Sequence, residues 1–504
     1  MWLDLRKALT AFLLYDILWS SNRIAYHETV RLFLSNSGEE KMKSRTRHLA
    51  SLLTAVFLVL LVAAALATRG TKASPGTTLY VSTSGDDGND CTITETCRTV
   101  QRAIDVATTD DEIHVAEGTY TVTAGTVITV SKTVKLRGGW NADFTARDPD
   151  LYPTTLDAQR QGRVVYIIGL GASPTIEGFT ITGGNAGVED NYRGMGGGIY
   201  SRAAAPIIQN NIITDNIAST VAMGFGGGLY LDYAPASSVI SGNQILSNTA
   251  STSTDTNGFG GGLYLNYSAA IVSGNTISGN INNSTAGGGH GGGVYLSLGN
   301  PTLDGNRIIS NTSSGGGGGL YVSRSAPFTL TNNIIAQNRA AYTGGGILVW
   351  GGGGYPASGV LINNTFAQNN LGNGGEGVFA SNDTTLTLTN NIIVSHTYGI
   401  YIISPATATA DYTLFYGNTN DTAGSVTSTH EVSGDPLFVN PAGWDYHIQV
   451  TSPAVNSGTF NGAPATDFEG DPRPYDCFVD IGADENTASD QCRRIYLPLI
   501  MKNY

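Results

Sequence analysis

The residues of this chain that could do chemistry are few and scattered. His290 stands between glycines, in Gly289-His290-Gly291, as a candidate acid or base. Glu189 and Asp190 adjoin in a polar stretch, with Asp215 and Asp232 further on. Hydrolysis of a glycosidic bond needs two carboxylates facing each other at roughly 5 to 9.5 Å, the separation setting retention or inversion. Abstraction of a proton beside a uronate carboxylate needs an Arg or Lys base and usually Ca²⁺. Between Val164 and Ile402, however, there is no lysine, and Arg193, Arg202, Arg307, Arg324 and Arg339 are outnumbered by nine acidic residues, so this stretch should repel a polyuronate. Tyr192, Tyr233 and Tyr267 lie in polar excursions, where their rings would either stack on sugars or pack the loops. Asp86, Asp87, Asn89 and Asp90 offer oxygens either to Ca²⁺, without EF-hand spacing, or to a solvated turn.

The elements that position these residues are legible as a repeat. Asn211, Asn243, Asn275, Asn306, Asn333, Asn364 and Asn391 recur at intervals of 27 to 32 residues. An apolar residue stands three places before each (Ile208 and Ile240 in the first two copies) and another two places after (Ile213 and Ile245), with Ile176, Phe179 and Ile181 as an earlier copy. The residue just before each marker is Gly or Asn, types that accept positive φ, so a tight bend is expected there. Five residues after the marker comes a second Asn (Asn216, Asn248, Asn280, Asn311, Asn338, Asn369), replaced by His396 in the last copy, and then a glycine run such as Gly226 to Tyr230. Short strands joined by bends, with no helical period, predict coils stacked about 4.8 Å apart as a parallel β-helix; leucine-rich and ankyrin repeats share the length but not the pattern. The marker asparagines would stack their amides into an interior ladder, a scaffold and not a site.

The ends read differently. Residues 1–41 are expected to be an overcalled start. From Met42, a basic stretch precedes the apolar Leu49 to Ala67, so 42–67 reads as a signal peptide or, alternatively, an uncleaved membrane anchor. Export makes disulfides permissible, and neighbour pairing gives Cys91 with Cys97 and Cys477 with Cys492; three connectivities are possible, and a zinc site is the alternative. A net charge of −13 excludes recruitment of nucleic acid or anionic lipid.

The Ile-x-x-Asn and Gly-Gly-Gly-[Ile/Leu]-Tyr segments resemble the repeats of right-handed parallel β-helix proteins of the pectin-lyase-like superfamily, and also those of polymorphic outer-membrane proteins. The segments from Leu79, Cys97 and Glu112 resemble the opening of such proteins, where a strand, one amphipathic helix and a first coil close the solenoid; the helix here would be Thr99 to Ala107. Trp140 to Pro153 reads as an excursion from the coil. The superfamily includes polygalacturonases, and Gly289-His290-Gly291 resembles their Gly-His-Gly, but His290 occupies the repeat place of Met195, Phe225 and Phe259, and the other elements of that motif are missing. Asp435-Pro-Leu-Phe-Val-Asn-Pro, Asp467-Phe-Glu-Gly-Asp-Pro-Arg-Pro and Val479-Asp-Ile-Gly-Ala-Asp-Glu are similar to the choice-of-anchor Q region of exported bacterial β-helix proteins, which implies a secreted or surface protein and no particular activity.

The expectation is therefore an all-β, right-handed parallel β-helix: an N-terminal cap and first coil at 79–130, coils at 131–403, C-terminal coils and a small cap at 404–486, and a tail at 487–504. It would be a secreted or cell-surface, monomeric, noncatalytic scaffold for polysaccharide or cell-envelope glycan, touching a membrane only through its N-terminal signal or anchor and needing no cofactor, with Ca²⁺ the one candidate ion. The alternative is a glycoside hydrolase or polysaccharide lyase.

Overall fold

The coils of this chain are built from three short strands, each placing one or two apolar side chains inward in all but the last coil. The computed structural model describes residues 76–488, apart from 189–191, 254, 283–287, 326 and 370–374. Segments 1–41 and 42–67, most of the tail, Cys492, Glu189 and Asp190 lie outside the described residues. Like strands of successive coils pair in parallel into sheets of 13, 12 and 11 strands, here called A, B and C in the order the chain visits them. The apolar residue before the marker falls on sheet A, where Ile176, Ile208, Ile240 and Val272 stand in register. The apolar residue after it falls on sheet B as Ile181, Ile213, Ile245 and Ile277. Leu229, Leu263, Val294 and Leu320 form the matching column of sheet C. All are fully buried. Each such side chain contributes about 1.5–3 kcal/mol of burial, and parallel strands also satisfy the backbone between coils, which explains why strands of only three residues persist.

The N-terminal opening is plugged by helix α1 (Val100–Val106), whose Val100, Ala103 and Ile104 are buried. Its N-cap Thr99 accepts the Arg102 amide. A Cys91–Cys97 disulfide, with both residues fully buried, ties the preceding turn. The excursion after Trp140 folds onto the outer face of sheet A: Phe144 packs edge-on against Tyr80 at 5.0 Å, and Arg147 pairs with Glu177 at 3.1 Å.

Coils continue to Ser433, beyond the point where the Asn beat fades. The last one turns polar inside. In sheet A, Leu388 is followed by Ala410 and then Ser428. In sheet B, Ile393 is followed by Phe415 and then Ser433. The stack thus ends in a coil with little apolar surface to cover.

Residues 434–486 run back along the outside of sheet B. A hairpin (Phe438–Asn440 with Asp445–Ile448) and irregular chain pack Tyr446, Ile448, Ala454, Val455 and Ile481 against Ile309, Ile334, Ala336, Ala367, Ile392, Val394 and Leu414. The outer residues of sheet B follow this contact. They are Thr214, Leu246 and Ser278 in earlier coils, then Ile309, Ala336, Ala367 and Val394 where the flank lies. A strand buried on both faces must be apolar throughout. The bend residues follow it too. The Asn363 amide donates to the carbonyls of Asp480 and Gly482, Asn332 to Thr466, and Asn390 to Thr459. Coils away from the flank carry Gly178, Gly242 and Gly274 at that place, or the exposed Asn210.

Candidate functional site

The marker asparagines face inward. From Asn211 to Asn391, each side-chain N–H donates to the amide oxygen of the next at 2.9–3.1 Å. The backbone N–H of each marker donates to that same oxygen, as Asn243 does to Asn275. The residue before each marker has positive φ, among them Asn210 at 53° and Gly242 at 63°. A second ladder runs parallel to the first, through Asn216, Asn248, Asn280, Asn311, Asn338 and Asn369, then His396 and Asn418. Its bends carry Ser247, Ser310 and Gln337 at positive φ, residue types that give no such signal in a sequence, beside Asp215 and Gly279, which do. Both ladders are buried and saturated, so neither offers groups to a ligand.

Outside sheet C, Tyr166, Tyr200, Tyr230, Tyr264, Tyr295 and Tyr321 form a column with neighbouring ring centroids 4.8–5.5 Å apart. Met195, Phe225, Phe259 and His290, supplied by the excursion between sheets B and C, stand over it in register. His290 stacks on Tyr321 at 4.4 Å, and its Nδ1 accepts the Gly316 amide at 3.1 Å. Burial lowers its pKa, and among the described residues no carboxylate partners it. Tyr192 packs against Tyr200 at 5.2 Å with the Arg202 guanidinium over its ring at 5.0 Å, so its role is loop packing.

Tyr233 and Tyr267 are placed differently. They occupy the bend from sheet C to sheet A in successive coils, 52% and 48% exposed, with rings stacked at 5.0 Å and 5°. Both have positive φ, 54° and 46°, a conformation costly for aromatic residues, and they gain no core burial from it. Beside them the Asp232 carboxylate accepts the Asn266 amide at 2.9 Å and lies 3.7 Å from Arg202. Asp215 sits at a different edge, after sheet B, paired with Arg160 at 2.7 Å. The two carboxylates are therefore not brought together.

The acidic turn near the N-terminus is engaged locally. Asp87 accepts the amides of Arg98 and Thr99 and the Thr99 hydroxyl, Asp86 accepts the Gly88 amide, and Asn89 donates to the Thr96 carbonyl. Cys477 is disulfide-bonded.

The carboxylates of the flank are structural as well. Asp467 accepts the amides of Glu469, Gly470 and Asp471 on one oxygen and that of Glu485 on the other. Asp480 accepts those of Asn456 and Asn486, Asp484 that of Ile448, and Glu485 those of Tyr475 and Asp480. These side chains take the place of a strand ladder in chain that has little secondary structure. Arg473 pairs with Glu485 at 3.1 Å, both side chains essentially fully buried. Burial, reinforced by Glu485, pushes Asp480 up to about 7, and burial pushes Asp484 up to about 6. Burial alone would lower His447, but its hydrogen bonds to Glu469 and Asp445 raise it to about 9. Glu469 also pairs with Arg307 of the coil at 3.3 Å, which links flank and solenoid.

Three parallel sheets wound as one stack, with two interior amide ladders and one aromatic-bearing edge, define a parallel β-helix solenoid. The chain belongs to the right handed beta helix family, which it matches over residues 165–362 and 281–420, together just over half of its length. Among solved structures it is similar to the crystal structure of the pectate lyase Pel9A, at 13% identity and a TM-score of 0.43, over 82% of this chain and 98% of that one. It is also similar to the complex of XylC with xylose, at 10% identity and a TM-score of 0.43, over 81% and 98% of the two chains. No curated protein matches it in sequence.

Proposed function

We propose that this protein is a noncatalytic β-helix that presents an elongated surface to polysaccharide or cell-envelope glycan, and that it does so outside the cell, as an exported or surface protein whose C-terminal region resembles the choice-of-anchor type. The observation that carries the reading is the Tyr233–Tyr267 pair, two half-exposed rings held side by side in unfavourable backbone geometry on one edge of the stack. Aromatic faces next to mixed hydrogen-bonding groups suit the alternately apolar and hydroxylated surface of a sugar. Of the candidate acids and bases among the described residues, His290 is packed among aromatic rings, and Asp215 and Asp232 lie apart.

The test is binding of purified residues 68–504 to a broad polysaccharide panel, run beside assays for new reducing ends and unsaturated uronate with and without Ca²⁺. Retention on at least one glycan without product is the expected result. Product release abolished by changing a carboxylate or arginine would replace this reading with an enzymatic one.

A further inference from the structure

The tyrosine pair has one free face. Tyr233 stacks on Tyr267 of the next coil, and on its other side the equivalent bend of the preceding coil holds only Ala203. Ala203, at φ 51°, shares the positive φ of Tyr233 and Tyr267 and follows strand residues in register with theirs, so the three are equivalent places in consecutive coils, and the side chain simply shrinks to a methyl. One coil earlier again, the chain bulges through Gly169-Leu170-Gly171, and Leu170 is 96% exposed. At about 4.8 Å per coil, the Leu170 and Tyr233 bends are separated by roughly 10 Å, the thickness of one saturated ring between two side chains. Arg202 and Asp232, at the ends of the strands that lead into the Ala203 and Tyr233 bends, set a donor next to an acceptor.

We infer that the gap over Ala203 is a slot for a single neutral pyranose unit of a glycan, stacked on the free face of Tyr233 and hydrogen-bonded by Arg202, whose guanidinium the buried Asp232 carboxylate holds in place. The inference rests on the glycan-binding reading above and specifies its site and ligand class. A neutral sugar fits because Arg202 is already matched by Asp232: a uronate would meet that carboxylate, and an amino sugar would meet the guanidinium. Vicinal hydroxyls can accept from the several N–H donors of the guanidinium.

The deciding variant is Ala203→Tyr. Neighbouring coils already hold tyrosine at this bend, so the substitution preserves the fold while extending the ring stack into the slot. Binding of the wild type, Ala203→Tyr, Tyr233→Ala and Tyr355→Ala would be measured on neutral glucans, xylans and mannans and on a polyuronate, with melting temperatures as a control on folding. The expected result is wild-type binding to a neutral glycan, lowered at least tenfold by Ala203→Tyr and by Tyr233→Ala, and unchanged by Tyr355→Ala, whose exposed ring lies several coils away. Binding that survives Ala203→Tyr in a folded protein, or that prefers the polyuronate, overturns the slot and leaves the broader reading in place. Failure of the wild type to bind any glycan overturns both.

Discussion

Gly262 lies against the side-chain amide of Asn280. A Cβ built on Gly262 would stand 2.9 Å from Asn280 Nδ2 and 2.9 Å from the Gly293 carbonyl oxygen. Gly228 with Asn248 and Gly293 with Asn311 repeat the relation at 2.9 Å. The glycine run and the second asparagine of each repeat are thus one feature: the run leaves out the side chains whose space the ladder occupies. Gly262→Ala should destabilise the protein by about 1–3 kcal/mol through overpacking. Gly274→Asn should be nearly silent, because its bend is open to solvent and other coils hold Asn there. Thermal melts of the two variants check the contrast, and equal losses would refute the packing account.

Asn275→Leu removes an amide that both donates and accepts. It strands the Asn243 backbone N–H and side-chain N–H and takes one donor each from the Ile240 carbonyl and from the Asn306 oxygen, which keeps the backbone N–H of residue 275. With each unsatisfied buried group costing about 1–3 kcal/mol, the coil stack should lose several kcal/mol. An unchanged melting temperature would remove the ladder from the account of stability.

His396 makes the second ladder sensitive to acid. It is buried, its Nε2 facing the Asn369 amide and its Nδ1 the Asn418 oxygen, and burial drops its pKa to about 3. The unfolded chain takes up a proton near 6.5 that the folded chain refuses, so this residue's contribution is complete above pH 6.5 and is lost as pH falls toward 3. His396→Asn, which restores the repeat, should flatten the fall in melting temperature between pH 6.5 and 4 relative to the wild type.

The flank should respond in the opposite sense. Asp480 near 7, Asp484 near 6 and His447 near 9 all lie above their unfolded values, so their stabilisation is full at low pH and declines as pH rises, from 3.8 to about 7 for Asp480, from 3.8 to about 6 for Asp484 and from 6.5 to about 9 for His447. Hydrogen exchange over 435–486, corrected for its intrinsic pH dependence, should show more opening at pH 8.5 than at pH 5.5, with the central coils unchanged. Uniform behaviour across the chain would argue against it.

Removing Arg473, the buried guanidinium of the flank, has a larger effect. Arg473→Met leaves Glu485 without its partner beside Asp467, Asp480 and Asp484, and breaking such a pair costs about 3–5 kcal/mol. Proteolysis within 435–486 should appear before cleavage of the coils.

The repeating core was legible in the linear sequence because stacking forces it to be. Each coil must put the same kind of side chain at the same inward place, so the columns through Ile208 and Ile213 and the bends before Asn211 appear as a beat. Helix α1 was legible for a similar reason, since one face of a short helix must cover the first coil. His290 could also be read as a substitution at a packing position, because its register with Phe259 follows from the repeat.

Contacts between distant stretches left only faint traces. Asn332, Asn363 and Asn390 look like ordinary alternatives to glycine until the flank is seen against them, and the acidic run from Asp467 to Glu485 looks like solvated surface until its oxygens are found on buried backbone amides. The Ala203 gap depends on which side chains follow one another along an outer edge. The sequence alone determined the coil, because that repeats every 30 residues or so and every copy obeys the same packing constraint. Only the tertiary structure decided the flank and the edge, because each depends on a pairing made once, between residues whose separation along the chain carries no period.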